Sequence, residues 1–557
     1  MDNYQIAEHF SLLSKLMDIH GENSFKARSY GAAAFNIEKL PMQLSEVPHE
    51  ELFSIKGIGE STGKKIIELL ETGELQALKD IIQKTPPGVI EMLNIKGLGP
   101  KKIATVWKEM EIETIGELLY ACDENRLKLY KGFGDKTQQN VKEAIEFYQQ
   151  NQGSHLYAQV EAVVPDIKNY LGKLFGSDKV RLTGAFRRQM ETIDELEFII
   201  SETNENIKPK FQTAFPPELI EETKEYIIYK LKNGLKLKLY SGKEGTGEKL
   251  FRLSASDVFV DAFIKAFPKI NFADGKSADD EYIFKQAKIQ YIPPYLRETA
   301  SIIEKAKTNS LPEVIQPNDI KGIIHSHSTW SDGSHSLEQM ATAAKEKGLE
   351  YLVISDHSKT AAYANGLKED RIKAQHEEIE KLNEKLKPFK IFKSIESDIL
   401  NDGKLDYSDN ILSTFDLVIA SVHSNLKMTE EKAMMRLLTA IENPHTTILG
   451  HMTGRLLLSR KGYPVNYEKI FEACIKNKVV IELNAHPSRL DIDWRYIEAA
   501  INNGLLISID PDAHAIEGFD DCKYGVLVAQ KAGVTKEKNL SSFSLAEFEA
   551  YLKTVKN

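Results

Sequence analysis

"IKGIIHSHSTWSDG", residues 320–333, decides how this chain is read. A short apolar run, long enough for one buried strand, stops at His325 and His327, with Asp332 just beyond. Short apolar runs separated by helical segments mark parallel β/α units, whose functional side chains gather where the strands end. Six runs downstream behave alike. "YLVISDH" (351–357) ends in His357, "FKIFKSIESD" (389–398) carries Glu396, and "FDLVIASVH" (415–423) ends in His423. "TTILGH" (446–451) ends in His451, "VVIELNAH" (479–486) in His486, and "LLISIDPDAH" (505–514) in Asp512 and His514. Seven strands in β/α order with ligand types at their C-terminal ends predict a barrel with one convergent site on one face.

Ten of the chain's 14 histidines lie in this segment and seven sit at strand ends, a recurrence that isolated core histidines would not show. No cysteine takes part, so imidazoles and carboxylates suit manganese, zinc or iron, and this many ligands can hold more than one ion. Clustered divalent ions would activate a bridging water without a separate protein base. Arg455, in "GHMTGRLLLSRKGY" (450–463), and Arg489, in "AHPSRLD" (485–491), read as phosphate clamps, with Arg460 and Lys461 nearby. Asp356, Asp398, Asn484 and His486 flank the ligands and read as residues that orient them. His335, His376 and His445 fall off the strand ends and read as solvent-side residues.

The rest of the 557-residue chain needs further cores. A net charge of -10 argues against coating nucleic acid through bulk electrostatics, so any such binding must be local. "MDNYQIAEHF" lacks the basic start and apolar core of a signal peptide, and no run approaches the ~18 apolar residues of a membrane span. The expectation is a cytoplasmic protein with no membrane partner. Cys122, Cys474 and Cys522 are too scattered for a disulfide framework and read as buried thiols.

Three N-terminal segments repeat one plan: "LFSIKGIGESTGKKIIELL" (52–70), "LNIKGLGPKKIATVWKEM" (93–110) and "LYKGFGDKTQQNVKEAI" (129–145). An apolar lead meets a Gly-apolar-Gly turn (Gly57 and Gly59, Gly97 and Gly99, Gly132 and Gly134) and then a helix. Such turns present backbone N–H groups at a helix N-terminus, which suits a phosphate oxygen, and Lys56, Lys64, Lys65, Lys96, Lys101, Lys102 and Lys136 stand beside them. Each copy resembles a helix-hairpin-helix motif, which grips DNA backbone without reading bases. Residues 1–150 nonetheless hold 18 Lys+Arg against 23 Asp+Glu, so the positive face is local.

Between these regions, "GAFRRQMETIDELEFII" (184–200) reads as a turn followed by a strand with Leu196, Phe198 and Ile200 on one face and Glu195 and Glu197 on the other. The segment "EYIIYKLKNGLKLKLYSG" (225–242) reads as a hairpin turning at Asn233-Gly234, with Leu235, Leu237 and Leu239 inward and Lys236, Lys238 and Tyr240 outward.

"GENSFKARSYGAAAFNIEKL" (21–40), the first hairpin and this strand pair together resemble family X DNA polymerases. The resemblance implies that Lys65, with Tyr30 near it, matches a lysine that forms a Schiff base with an abasic sugar, although Lys65 could equally contact phosphate alone. It implies that Gly184, Arg187 and Arg188 match a triphosphate loop, with Ala185 where the family has serine. It also places Glu195, Glu197 and Lys238 where the family has three magnesium-binding aspartates. Magnesium demands near-ideal oxygen geometry and an ammonium offers no lone pair, so Lys238 is expected to pair with Glu195 or Glu197 and the polymerase site to be degenerate, without magnesium.

The barrel resembles the PHP (polymerase and histidinol phosphatase) family, whose distorted sevenfold barrel binds three metal ions through nine ligands. The matching residues are His325, His327, Asp332, His357, Glu396, His423, His451, Asp512 and His514. Together the resemblances point to the bacterial PolX family. The expected architecture is multidomain: an all-α helix-hairpin-helix region over 1–150, an α/β palm and thumb over 155–306, a linker over 307–319, and a distorted (β/α)7 PHP barrel over 320–557. The expected activity is a manganese- or zinc-dependent 3′→5′ exonuclease on gapped, nicked or 3′-ended duplex DNA. The alternative is a working gap-filling polymerase that proofreads through its PHP domain.

Overall fold

The computed structural model describes the chain except residues 2, 39, 41, 56, 150–152, 212–216, 232–233, 243–245, 273–276 and 556–557. Lys56 and Asn233 therefore lie outside the described residues. Contacts divide the chain into two units, Met1–Asp123 with Leu127–Tyr148, and Glu124–Arg126 with Gln149–Asn557.

The described residues of the first unit are helical or in turns. Asn3–His20 and Ser24–Glu38 form a pair, with Ile6, Phe10, Leu13 and Met17 recurring every three or four residues and buried with Tyr30 and Ala34. Each glycine turn feeds a helix: Glu60–Thr72, Pro100–Lys108 and Asp135–Gln149. Gly57, Gly97 and Gly132 have φ of +96°, +91° and +93°, a region that L side chains avoid, so the turn fixes the residue type.

The second unit holds two larger sheets. One has five strands, in the order Val180–Thr183, Glu195–Ile200, Lys236–Ser241, Tyr226–Lys230 and Glu218–Glu222. Glu195–Ile200 runs parallel to Lys236–Ser241 in a register that sets Glu197 opposite Lys238. As the alternation requires, Leu196, Phe198, Leu237 and Leu239 are buried. Short helices from Gly247 to Lys307 then close around Phe251, Phe259, Phe263 and Phe284. Within this aromatic cluster Arg297 is fully buried and pairs with Asp280 at 2.6 Å.

The other sheet has seven parallel strands in chain order: Gly322–Ile323, Tyr351–Ile354, Lys390–Asp398, Leu417–Ser421, Ile448–Leu449, Val480–Asn484 and Ile507–Asp510. Leu417–Ser421 and Val480–Asn484 are buried at every residue, as parallel strands covered on both faces are. Beyond the ends of the first and last strands a parallel bridge joins Ser326 to Ala513, and the His327 N–H donates to the Ala513 carbonyl at 2.8 Å, closing the barrel. Among the described residues no helix is long and apolar enough to cross a membrane. All three cysteines are buried free thiols.

Candidate metal centre

The strand ends bring all nine residues singled out in the barrel together. Their ligand atoms form four overlapping groups, each with its atoms within 4.8 Å of one another. These are His327, Asp332, His357 and His514; His325, His327 and Asp512; His325, Glu396 and His451; and His357, Glu396 and His423. His325, His327, His357 and Glu396 each belong to two groups, an arrangement that lets neighbouring cations share ligands. His325 and Asp512 have φ of +64° and +54°, unusual for residues with a side chain. Such strain persists only where the surroundings over-determine it, and the barrel closure does so here: the Ala513 N–H donates to the His325 carbonyl at 3.2 Å.

Several buried ligand atoms lack a hydrogen-bond partner, among them His325 Nε2, His327 Nδ1, Asp332 Oδ2, Glu396 Oε2 and His514 Nε2. Buried polar atoms are rarely left so, and a cation satisfies all of them at once. Charge tells the same story. Burial works to discharge His325, yet Asp512, Glu482 and Glu396 hold its proton well above the ordinary range. Burial together with His514 and His357 lowers His327 to about 4, leaving it a neutral imidazole fit to ligate. Against burial, Glu396 and its neighbouring carboxylates raise His357 to about 9 and lift His423 well above the ordinary range, and a divalent ion fits a donor set of this kind by taking the place of such protons.

A second layer aims the ligands. His325 Nδ1 donates to Glu482 at 2.5 Å, and the same carboxylate accepts the His451 N–H. His423 Nδ1 donates to Asp398, and Asn484 donates to Asp512 at 3.1 Å. Asp356 accepts from the Ser328 N–H at 2.8 Å and from Gln375 at 2.7 Å, anchoring the loop after the first strand. His486 Nδ1 accepts the Ser488 N–H at 3.2 Å, a bond within its own turn. Glu482 is the residue the sequence reading missed. Its signal is a carboxylate inside an apolar run, two positions before Asn484 and so on the same strand face. His376, read as solvent-side, is half-buried against Phe415, and burial lowers it to about 4.

The basic residues near the centre divide. Arg455, read as a phosphate clamp, is engaged instead by protein groups: the Glu191 and Asp493 carboxylates and the Arg489 and Leu490 carbonyls. Arg460 donates to the Gly454 carbonyl at 2.9 Å. Arg489 is buried and lies 3.7 Å from Glu124, a residue of the second unit. Burial opposes ionisation of Glu124, but Arg126, His514 and Arg489 outweigh it and lower it to about 2. One carboxylate therefore feels both Arg489 and His514.

The sheet pocket at residues 184–241 is built differently. Lys238 donates to Glu195 at 3.1 Å, and Glu197 accepts from the Tyr240 hydroxyl at 3.0 Å and from the Ala185 N–H at 3.1 Å. A Cβ at Gly184 would come within 1.6 Å of Glu197 Oε2, so only glycine lets that carboxylate lie against the loop. Arg187 donates to Ser254 at 2.7 Å and Asp280 at 3.2 Å, and Arg188 pairs with Glu298 at 2.6 Å. Each group that the resemblance assigns to metal or triphosphate meets a side chain of this chain.

On the hairpins, a Cβ added at Gly59, Gly97, Gly99, Gly132 or Gly134 would meet nothing within 4 Å. Gly59, Gly99 and Gly134 also carry no positive φ, so neither backbone strain nor internal crowding requires glycine there. Bare backbone open to close approach from outside does. Lys65 is half-buried on the first hairpin helix, its neighbour Lys64 pairs with Glu60 at 2.7 Å, and Tyr30 packs against Phe10 in the helical core.

Tandem glycine hairpins and a seven-stranded barrel with a histidine-rich strand-end centre define a helix-hairpin-helix protein that carries a PHP domain. The helix-hairpin-helix domain family matches residues 1–75, the SAM-like helix-hairpin-helix tandem 89–146, and the PHP domain 324–486. The chain is 32% identical to the DNA polymerase/3'-5' exonuclease PolX of Bacillus subtilis, over 99% of its own length and 100% of that protein, and it belongs to the PolX family. The C-terminal part alone is similar to a probable phosphatase of Thermoanaerobacter sp., 26% identical over 42% of this chain and 94% of that protein. It is also similar to the probable phosphatase YcdX of Escherichia coli, 26% identical over 36% of this chain and 82% of that protein.

Proposed function

We propose that this chain is a metal-dependent DNA phosphodiesterase, a 3′→5′ exonuclease that processes 3′ ends in DNA repair, acting at the PHP centre while the palm no longer polymerises. The observation that carries this reading is the contrast between its two carboxylate-bearing sites. Around Glu396 the imidazoles of His325, His327, His357, His423 and His451 all come within 3.7 Å of one buried carboxylate, a convergence of ligand types, whereas at Glu195 and Glu197 an ammonium, a hydroxyl and a backbone N–H hold the carboxylates. The names of the relatives support its phosphoesterase part alone, since PolX is named an exonuclease as well as a polymerase and the shorter relatives are named phosphatases.

Three divalent cations, manganese, zinc or iron, would supply an activated water and neutralise charge on the phosphoryl group. The chain's own residues do the rest. His325, His327, Asp332, His357, Glu396, His423, His451, Asp512 and His514 hold the ions, and Glu482 and Asp398 fix the ring orientation of His325 and His423. Arg489 offers a planar fork to a phosphate oxygen. The open N–H groups at Gly57, Gly59, Gly97, Gly99, Gly132 and Gly134 grip the DNA backbone of a gapped, nicked or 3′-ended duplex.

The deciding experiment incubates 5′-labelled gapped DNA with Mn2+, with and without dNTPs. Primer shortening with no added nucleotide is expected. Template-matched extension that Glu195→Ala removes would show that the palm still holds metal and would restore the polymerase reading. For the hairpins, Lys65→Ala should lower the slope of log affinity against log salt by about 1, as loss of one phosphate contact does. An unchanged slope would take Lys65 out of the interface, and borohydride trapping on an abasic substrate asks whether its amine also forms the Schiff base.

A further inference from the structure

We propose that Glu191, in the palm, is a positioning residue for the PHP centre: acting through Arg455, it fixes the turn that presents Arg489. The inference rests on reading that centre as a nuclease, and it gives the palm a role that needs no polymerase chemistry.

Glu191 closes the loop 184–191 that the family resemblance assigns to triphosphate. Its side chain is only 8% exposed, and the Arg455 Nη2 donates to it while Arg495 lies 3.6 Å from its other oxygen. Arg455 reaches further. Its Nε donates to the Arg489 carbonyl at 3.0 Å, its Nη2 also to the Leu490 carbonyl, and its Nη1 to Asp493 at 2.9 Å. One rigid planar fork thus ties a palm carboxylate to two successive carbonyls of the turn that carries Arg489. That turn needs holding, because Leu490 has φ of +44°. It begins just after Asn484, which contacts the ligand Asp512, and Asp491 accepts the Thr453 N–H at 3.0 Å two residues past His451.

The palm loop is itself fastened at the other end. Lys531, whose side chain is fully buried, donates to the Arg188 carbonyl at 2.8 Å and to Glu298 at 2.9 Å, and Glu298 also holds the Arg188 side chain. Glu197 caps the start of the same loop through the Ala185 N–H. The loop is a strut anchored at Ala185, Arg188 and Glu191, with its far end braced against the nuclease centre. Small displacements of a group that meets substrate cost up to ~100-fold in rate, so a strut of this kind matters.

The test uses the full-length chain loaded with Mn2+ on a 5′-labelled 3′-ended duplex, comparing Glu191→Gln, Arg489→Ala and the double variant. Glu191→Gln should raise KM by about tenfold while kcat stays within about twofold and manganese content is unchanged. The double variant should be no worse than Arg489→Ala, because Glu191 acts through Arg489. Independent, additive losses would overturn the proposal, and so would loss of metal from Glu191→Gln, which would mark a general structural role. Hydrogen exchange gives a readout that does not depend on cutting: the amides of Arg489, Leu490 and Ile492 should exchange at least about tenfold faster in Glu191→Gln, with the barrel strands unchanged. If the wild type cuts no DNA, the nuclease reading fails, whereas unaltered exchange at these amides defeats the strut itself. Should Glu191→Gln not fold, Arg455→Lys, which keeps the charge and loses the fork, must show the same KM and exchange signature for the proposal to stand.

Discussion

Replacing His325 and His327 together with alanine should cut manganese-dependent shortening of DNA by at least about a thousandfold and strip the centre of most of its metal. Loss of a residue that only orients a ligand costs ~10–100-fold in metal affinity or activity. Here two ligands disappear at once, and each belongs to two of the four groups, so every group except His357, Glu396 and His423 is broken. The barrel should survive. Its closure runs through the His325 carbonyl and the His327 N–H, which alanine retains, so far-ultraviolet circular dichroism should be unchanged. Cutting at the wild-type rate by a variant shown to be metal-depleted would refute the assignment of the nuclease to this centre.

Asp280→Asn should destabilise the helical cluster around Phe251 and Phe284 by about 3–5 kcal/mol, the usual cost of leaving a buried charge without its partner. Arg297 and Asp280 are both fully buried, and Arg297 lies against the rings of Phe284 and Tyr291. The same pair sets an acid limit. Burial alone would raise Asp280, but Arg297 and Arg187 outweigh it and lower it to about 2. A depressed folded-state value means that the stabilisation is present above the unfolded value, about 3.9, and is lost as pH falls through about 2. Wild type should therefore lose about 2 kcal/mol between about pH 4 and pH 2 from this group, and Asp280→Asn should lack that step. Urea unfolding at pH 7, at about pH 4 and at about pH 2 measures both, and an unaltered midpoint at pH 7 would show that the pair does not hold this helical cluster.

The barrel and the gathering of nine residues at its strand ends were legible because both rest on local pattern. A parallel strand buried on both faces is a continuous apolar run, and its C-terminal end announces itself by the first polar residue, so His357 or His451 can be placed without knowing any partner. The Lys238–Glu195 pair was legible for a related reason: alternation puts both side chains on one sheet face, and the strands proved adjacent. Partners distant in sequence were not. Nothing local to Arg455 points to Glu191, 264 positions earlier, and nothing near Arg187 or Arg188 points to Asp280 or Glu298. Both arginine readings therefore missed the carboxylates that occupy them. Glu482 lay between these cases, visible as a misplaced charge but unassignable until His325 was seen to donate to it.

The bridge between Ser326 and Ala513 also carries a temporal meaning. His325 and His327 leave the ribosome nearly 190 residues before Asp512 and His514, yet they meet only when the final strand docks beside the first. A chain halted between residues 150 and 505 already has its three glycine hairpins, but two of the four groups lack a member. The convergence at the strand ends is thus among the last arrangements that this polypeptide can complete during synthesis.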